Sequence, residues 1–175
     1  MYYPTKALGI YPETHHLSYA LVTYKIVNYV CEETYTLDSY SWPEATIAER
    51  LNLLADGLIK YRVDAREIAV IGVTSPFHPE PDALRLEGVV LNGLYDSSDF
   101  KYKQLFHLDP HKLHTPIGYQ YKYAKNLHNH IQQSVQFPEH ECKISISQAI
   151  AVAAAVTAFK ICDDPPIGNS TYNNW

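Results

Sequence analysis

The chain has 175 residues, a net charge of −5 and 46% hydrophobic residues, which suits one globular domain and excludes a disordered chain. Its longest apolar run, near residues 149–159, is too short to cross a bilayer, and no basic-then-apolar leader opens the sequence, so we expect no membrane contact. The three cysteines form no CxxC pair, which argues against a zinc knuckle or a disulfide framework and fits a reducing, cytoplasmic setting.

The first third of the chain predicts an antiparallel meander of three strands. Residues 6–10 ("KALGI") are a short apolar run typical of a buried strand. Residues 17–27 are rich in β-branched and aromatic side chains, and residues 27–37 alternate enough for a third strand. Asn28 is the predicted turn between the second and third strands.

The rest of the chain alternates helix and strand. Ser41 and Glu44 form a capping-box pattern ahead of an apolar stripe, which predicts a helix over residues 44–61. Residues 67–73 are a continuous apolar run and predict a buried parallel strand. Later elements are a helix from about residue 82, a fifth strand with an irregular exit within 102–114, a helix within 120–137, an alanine-rich helix over 145–162, and a mobile tail over 163–175.

The element order predicts an α/β domain over residues 1–162, with a mixed sheet and helices packed on it. Five stretches, in this order, resemble the motifs of the RuvC family of Holliday-junction resolvases. They are "LGIYPETHHLSYALV", "REIAVIGVTSPF", "DALRLEGVVLNGLY", "KQLFHLDPHKLHTPIGY" and "SISQAIAVAAAVTAF". The resemblance implies an RNase H-like fold: a five-stranded mixed sheet whose first strand is central and beside the fourth, with helices on both faces.

The resemblance also implies where catalytic carboxylates would stand. The family's first aspartate falls on Tyr11, its fourth-strand glutamate on Gly72, and its two last-helix aspartates on Ser145 and Gln148. Family members use those carboxylates to hold two Mg²⁺ ions, and none of the four residues here carries a charged oxygen ligand. We therefore expect no catalytic residue, no metal and no cofactor.

Two structural expectations accompany these four positions. Ser145 and Gln148 are spaced as a capping box, which would satisfy free N–H groups of the last helix without charge. We further hypothesise that the Tyr11 ring fills the vacated site and that Gly72 leaves room for it.

Residues 101–143 form a basic segment with six lysines, three acidic residues and six histidines. Tyrosines alternate with lysines near residue 122, a pattern that suits base stacking and phosphate contact. The candidate nucleic-acid-binding residues are Lys101, Lys103, Lys122 and Lys125. The alternative for the same pattern is a solvated helical face.

Three functions stay open at this point. The first is a RuvC-like pseudonuclease that binds branched DNA, another nucleic acid, a partner protein or a second copy of itself. The second is an active, Mg²⁺-dependent junction endonuclease with relocated acids, of which Glu13 is the candidate. It requires at least three carboxylates near Tyr11. The third is a structural or regulatory interaction module, which the acidic net charge favours.

Overall fold

The computed structural model describes residues 5–13, 15–41, 47–59, 61, 67–75, 81–97, 100, 103–114, 124–134 and 143–162. The strands are β1 (Thr5–Pro12), β2 (His16–Val27), β3 (Val30–Ser41), β4 (Ile68–Thr74) and β5 (Gln104–Leu108). The helices are α1 (Ile47–Ile59), α2 (Pro81–Asp96), α3 (Ala124–Ser134) and α4 (Ile146–Ile161), with a 3₁₀ turn over Pro110–Lys112. None of the helices in these ranges is long and apolar enough to cross a membrane.

The five strands form one mixed sheet in the order β3-β2-β1-β4-β5. The central strand, β1, runs antiparallel to β2 and parallel to β4, so that Ile10 lies opposite Tyr19 on one side and Val73 on the other. These contacts confirm the predicted meander and the predicted adjacency of residues 6–10 and 67–73. Both apolar runs are central because a strand covered on both faces needs apolar side chains in both directions.

A tight turn joins β2 to β3. Asn28 and Tyr29 have positive φ angles of 50° and 67°, and Val27 pairs with Val30 across the turn. This is a two-residue hairpin connection, whose left-handed backbone matches the twist of the strands it joins. The predicted turn at Asn28 is confirmed, and β3 continues to Ser41, four residues beyond the predicted end of that strand.

Helices cover both faces of the sheet, as expected. Apolar side chains of α1 and α2, among them Leu54, Leu58 and Val90, pack with one face of the sheet. Those of α3 and α4, among them Leu127 and Ile131, pack with the other face. Every side chain of α4 from Ala149 to Phe159 is buried, which explains why this helix is apolar on all sides rather than along one stripe.

Two glycines set the distance between α4 and the sheet. Gly9 of β1 and Gly72 of β4 lie opposite each other in the parallel pair. A Cβ atom at Gly9 would overlap the Ala151 carbonyl oxygen, and one at Gly72 would lie 2.5 Å from the Ala154 carbonyl oxygen. The backbone of α4 therefore rests directly on the backbone of the sheet, at a distance that no side chain at either position would allow.

Several predicted boundaries fall outside the described residues. The observed α1 and α3 lie within the predicted helices 44–61 and 120–137, and the residues flanking α3 are not described. The predicted capping residue Glu44 and the tail 163–175 also lie outside the described residues. The domain boundary at residue 162 stays a prediction.

Candidate functional site

The first turn of α4 is closed by its own side chains. The Ser145 hydroxyl accepts a hydrogen bond from the Gln148 backbone N–H, and the Gln148 side-chain carbonyl accepts one from the Ser145 backbone N–H, each at 3.0 Å. This arrangement is the predicted capping box, which is confirmed. It satisfies two exposed donors of the helix terminus with neutral groups, because both side chains are uncharged.

Helix α3 holds the chain segment that leads into this cap. The His128 Nε2 atom donates to the Ile144 carbonyl oxygen at 2.8 Å, and the Gln132 side-chain oxygen accepts from the Ile144 N–H at 2.8 Å. The two side chains are four residues apart and therefore lie on one face of α3. Both backbone groups of the residue before Ser145 are thus fixed, which fixes the position of the cap.

The end of β1 meets this first turn of α4. Tyr11 is 6% exposed and belongs to the core on the α3–α4 face of the sheet. Glu13 follows it, and its carboxylate accepts a hydrogen bond from the Ser147 hydroxyl. A carboxylate at the N-terminus of a helix is favoured by the helix dipole. The structure therefore brings Glu13 and the Ser145–Gln148 turn together, and Ser147 is a contact that the sequence analysis did not identify.

Gly72 does not lie at this turn. It contacts α4 at Ala154, which is nine residues beyond Ser145 and so roughly 13 Å further along the helix axis. The space above Gly72 is occupied by the α4 backbone and by side chains of Ala158 and Leu108, so the hypothesis that it accommodates the Tyr11 ring is wrong.

The β4 residue level with Tyr11 is Thr74, because Ile10 pairs with Val73 and each strand then continues by one residue. Thr74 is fully buried, and its hydroxyl donates to the Ser75 carbonyl oxygen at 3.2 Å or the Leu108 carbonyl oxygen at 3.5 Å. The sequence resemblance placed the equivalent position two residues earlier. A shift of two residues keeps the side chain on the same face of the strand, so the alternation of inward and outward residues in the sequence does not reveal it.

The charge of this site is low. Glu13 is the carboxylate that the structure places beside the α4 terminus, and Tyr11, Thr74, Ser145 and Gln148 are neutral side chains. Within the described ranges, no group of three or more histidine, cysteine, aspartate or glutamate residues is arranged to hold a metal ion. The three clustered carboxylates that the relocated-acid alternative requires are therefore not present in that part of the chain.

A second polar cluster lies on the opposite face of the sheet, at the carboxyl ends of β4 and β5. Glu87 of α2 is 2% exposed, and its carboxylate accepts a hydrogen bond of 2.9 Å from the Ser75 hydroxyl and pairs with Nε2 of His107. That same Nε2 lies 3.0 Å from the Ser75 hydroxyl oxygen. In a nucleophile–base–acid triad the acid and the nucleophile hold opposite nitrogens of the imidazole, so this cluster is an anchor of α2 rather than a triad.

The structure describes two of the four lysines that the sequence analysis selected for nucleic-acid binding, Lys103 and Lys125. Lys101 and Lys122 lie outside the described residues, and Lys125 is exposed on α3. Lys103 precedes β5, at the end of that strand farthest from the α4 cap, and burial lowers its pKa by desolvation. At the carboxyl edge of the sheet, Lys112 and Lys143 are exposed on the segments that follow β5 and precede α4, and the sequence analysis did not select them.

Comparison with protein families finds no family that matches this chain, and comparison with curated proteins finds no match. Solved structures of RuvC from Thermus thermophilus match its fold. One has a TM-score of 0.63 at 14% identity, covering 87% of this chain and 92% of that one. Another, Thermus thermophilus RuvC in complex with a Holliday junction substrate, has a TM-score of 0.60 at 14% identity and the same coverage. The chain therefore has the RNase H-like fold of RuvC, as the five sequence motifs implied.

Proposed function

We propose that this protein is a RuvC-like, nucleic-acid-binding protein without metal-dependent nuclease activity, and that its ligand is branched DNA. The observation that carries the proposal is the cap of α4. There the uncharged side chains of Ser145 and Gln148 accept hydrogen bonds from each other's backbone N–H groups. The fold supports the choice of ligand, because a structural relative with most of its length in common binds a Holliday junction.

The chemistry of the cap argues against two-metal cleavage. A pair of Mg²⁺ ions needs several carboxylate oxygens, which bind the ions, activate a water and neutralise the leaving oxygen. Here the oxygens of Ser145 and Gln148 already accept backbone hydrogen bonds, and the Glu13 carboxylate is already bound by Ser147. Recruiting them to a metal would break the cap of the buried helix α4.

The basic residues at the carboxyl edge supply the phosphate contacts in this proposal. Lys143 lies two residues before the α4 cap, Lys112 lies in the turn that follows β5, and both are exposed. The lysines selected from the sequence at 101, 122 and 125 are proposed to extend this surface, whereas Lys103, at the opposite end of β5, would make a separate phosphate contact. Because the net charge is −5, binding would depend on this local surface, and it should weaken steeply as salt increases.

A gel-shift titration with a synthetic four-way junction and a linear duplex of the same sequence tests binding. Lys112→Glu combined with Lys143→Glu should weaken binding to the junction and reduce its salt dependence. Lys25→Glu, an exposed lysine near the hairpin turn at the other end of the sheet, is the matched control and should bind as the unmodified protein does. No binding at low salt, or equal loss in both variants, would favour the protein-interaction alternative.

Cleavage is tested with the same junction in Mg²⁺ and in Mn²⁺. The proposal expects intact strands under both conditions. The position of Glu13 beside the α4 terminus is the one observation that favours the second candidate, an endonuclease with relocated acids. Metal-dependent nicking that disappears in the Glu13→Gln variant would establish that candidate and overturn the proposal.

A further inference from the structure

The imidazole of His107 is held at one of its two nitrogens. Strand β5 places it on the α2 face of the sheet, two residues after Leu105, which packs against the core on that face. Its Nε2 atom pairs with the Glu87 carboxylate of α2 and lies 3.0 Å from the Ser75 hydroxyl oxygen. The Glu87 side chain is 3% exposed, whereas that of His107 is 53% exposed. Buried partners therefore hold Nε2, which leaves Nδ1 as the nitrogen available to a ligand.

The hydrogen-bond network assigns the proton of this imidazole. The Ser75 hydroxyl donates its one hydrogen to the Glu87 carboxylate at 2.9 Å, so its oxygen can only accept from Nε2 of His107. A carboxylate can likewise only accept. Nε2 therefore carries a hydrogen, and Nδ1 is the lone-pair nitrogen of the neutral ring. The backbone supports this geometry, because the Ser75 N–H donates to the Leu108 carbonyl oxygen, next to His107, at 3.1 Å.

A ring held in this way changes its binding properties with one proton. In the neutral form, Nδ1 of His107 has no hydrogen and cannot donate to a phosphate oxygen. In the protonated form both nitrogens donate, and histidine side chains change between the two forms at about pH 5–8. The Nε2–H group then stays on Glu87 while Nδ1–H is free to donate to a ligand. Protonation therefore creates a charged donor on a ring whose orientation is already fixed.

Other ionisable groups follow His107 at the same end of β5. The Asp109 carboxylate accepts a hydrogen bond from the His111 N–H at 3.0 Å and so fixes the 3₁₀ turn that carries Lys112. His111 and Lys112 are both exposed. The two acids at this end of the strand are engaged within the protein, since Glu87 accepts from Ser75 and Asp109 caps the turn. Among the described residues after β5, Lys112 therefore offers a phosphate a permanent positive charge, and the two histidines offer one when protonated.

We propose that His107 is a proton-dependent phosphate contact of the nucleic-acid surface, in which Nδ1–H binds a backbone phosphate beside Lys112 while Nε2–H stays on Glu87. The inference rests on the proposed function, because the nucleic acid supplies the phosphate. Binding through His107 takes up one proton from solvent, so this contact strengthens binding as pH falls. Glu87 and Ser75 are positioning residues: they anchor α2 and, through the same bonds, orient the imidazole.

The first test is a titration of the protein with a labelled four-way junction at about pH 6 and about pH 8, at constant ionic strength. One linked proton changes Kd by at most roughly tenfold for each pH unit. His107→Gln should therefore reduce the strengthening of binding between the two pH values. His107→Lys should also reduce it, but by binding tightly at both, because lysine stays charged throughout this range. Lys112→Gln is the control and should weaken binding by the same factor at both pH values.

The outcomes separate this inference from the proposed function. If the unmodified protein binds the junction at neither pH, the proposed function fails and the inference fails with it. If it binds, but His107→Gln keeps the whole pH dependence or weakens binding equally at both values, as a purely structural change would, the inference alone is overturned. NMR of the unmodified free protein requires neither a ligand nor a folded variant. The neutral His107 ring should carry its hydrogen on Nε2, and a hydrogen on Nδ1 would overturn the assigned network and the proposal.

Discussion

Gly72 lies opposite Gly9 in the β1–β4 pair, and helix α4 rests on both. Gly72→Ala would place a Cβ atom 2.5 Å from the Ala154 carbonyl oxygen. We expect a loss of about 1–3 kcal/mol in the free energy of unfolding, because either α4 or β4 must move. The measurement is equilibrium denaturation in urea.

Gly88 provides the matched control for this substitution. A Cβ atom there meets nothing within 4 Å, and the residue lies inside α2. Gly88→Ala should therefore stabilise the protein by about 0.5–1 kcal/mol, through the higher helix propensity of alanine. Equal stability of the two variants would contradict the close packing of α4 on the sheet.

Restoring charge to the α4 cap should create a response to Mg²⁺. In the variant Ser145→Asp with Gln148→Asp, two carboxylates join Glu13 at one helix terminus. Mg²⁺ binds only the folded state with these ligands assembled, so the melting temperature should rise with its concentration. The neutral variant Ser145→Asn with Gln148→Asn is the control. An identical Mg²⁺ response in both variants would mean that Glu13 does not converge with the two positions.

Glu87→Gln should destabilise the protein by about 1–3 kcal/mol, because it removes a buried charge that accepts hydrogen bonds. Asp96→Asn, an exposed acid near the end of the same helix, should have little effect. Chemical denaturation of a double-mutant cycle with Ser75→Ala measures the coupling directly. Additive effects of the two substitutions would show that the 2.9 Å contact between them contributes nothing.

Because Lys160 is partly buried, the free energy of unfolding should depend on pH in the alkaline range. Burial lowers its pKa from 10.5 by desolvation, and the nearby Glu33 carboxylate opposes the shift. Between the lowered pKa and 10.5 the unfolded chain binds more protons than the folded one, so stability from this group rises with pH. The free energy of unfolding of Lys160→Met should therefore exceed that of the unmodified protein most near neutral pH, and this difference should shrink as pH rises.

Urea denaturation at several pH values between neutral and 10.5 measures this difference. Lys25→Met, whose side chain is exposed on the hairpin, is the control for removing one positive charge. A gain from Lys160→Met that stays constant over the whole range would contradict the assigned cause.

The order of the strands was predictable from the sequence because the buried central strands consist of uninterrupted apolar residues. Residues 6–10 and 67–73 are apolar at consecutive positions, which only a strand covered on both faces requires. The capping box at Ser145 and Gln148 was predictable for a similar reason, since its spacing is fixed by local helix geometry.

The sites that depend on contacts between distant segments were less predictable. Whether Gly72 or Thr74 lies opposite Tyr11 depends on the register of the two strands. The alternation of inward and outward side chains is the same in both registers and cannot distinguish them. Glu87 lies in α2, and its partners come from separate segments, Ser75 just after β4 and His107 in β5. No short-range pattern in the sequence connects these three residues.

The position of α4 has a consequence for how the protein is made. Glu13 and Ser147 are in contact although 134 residues separate them, and α4, which covers one face of the sheet together with α3, is the last of the described elements. On the ribosome, the strands emerge well before this helix, so the apolar face formed by Ala7, Val22 and Val70 stays exposed on the nascent chain. Covering this face must therefore wait until residues 146–161 have been translated, and a ribosome stalled before residue 146 would release a sheet prone to aggregation.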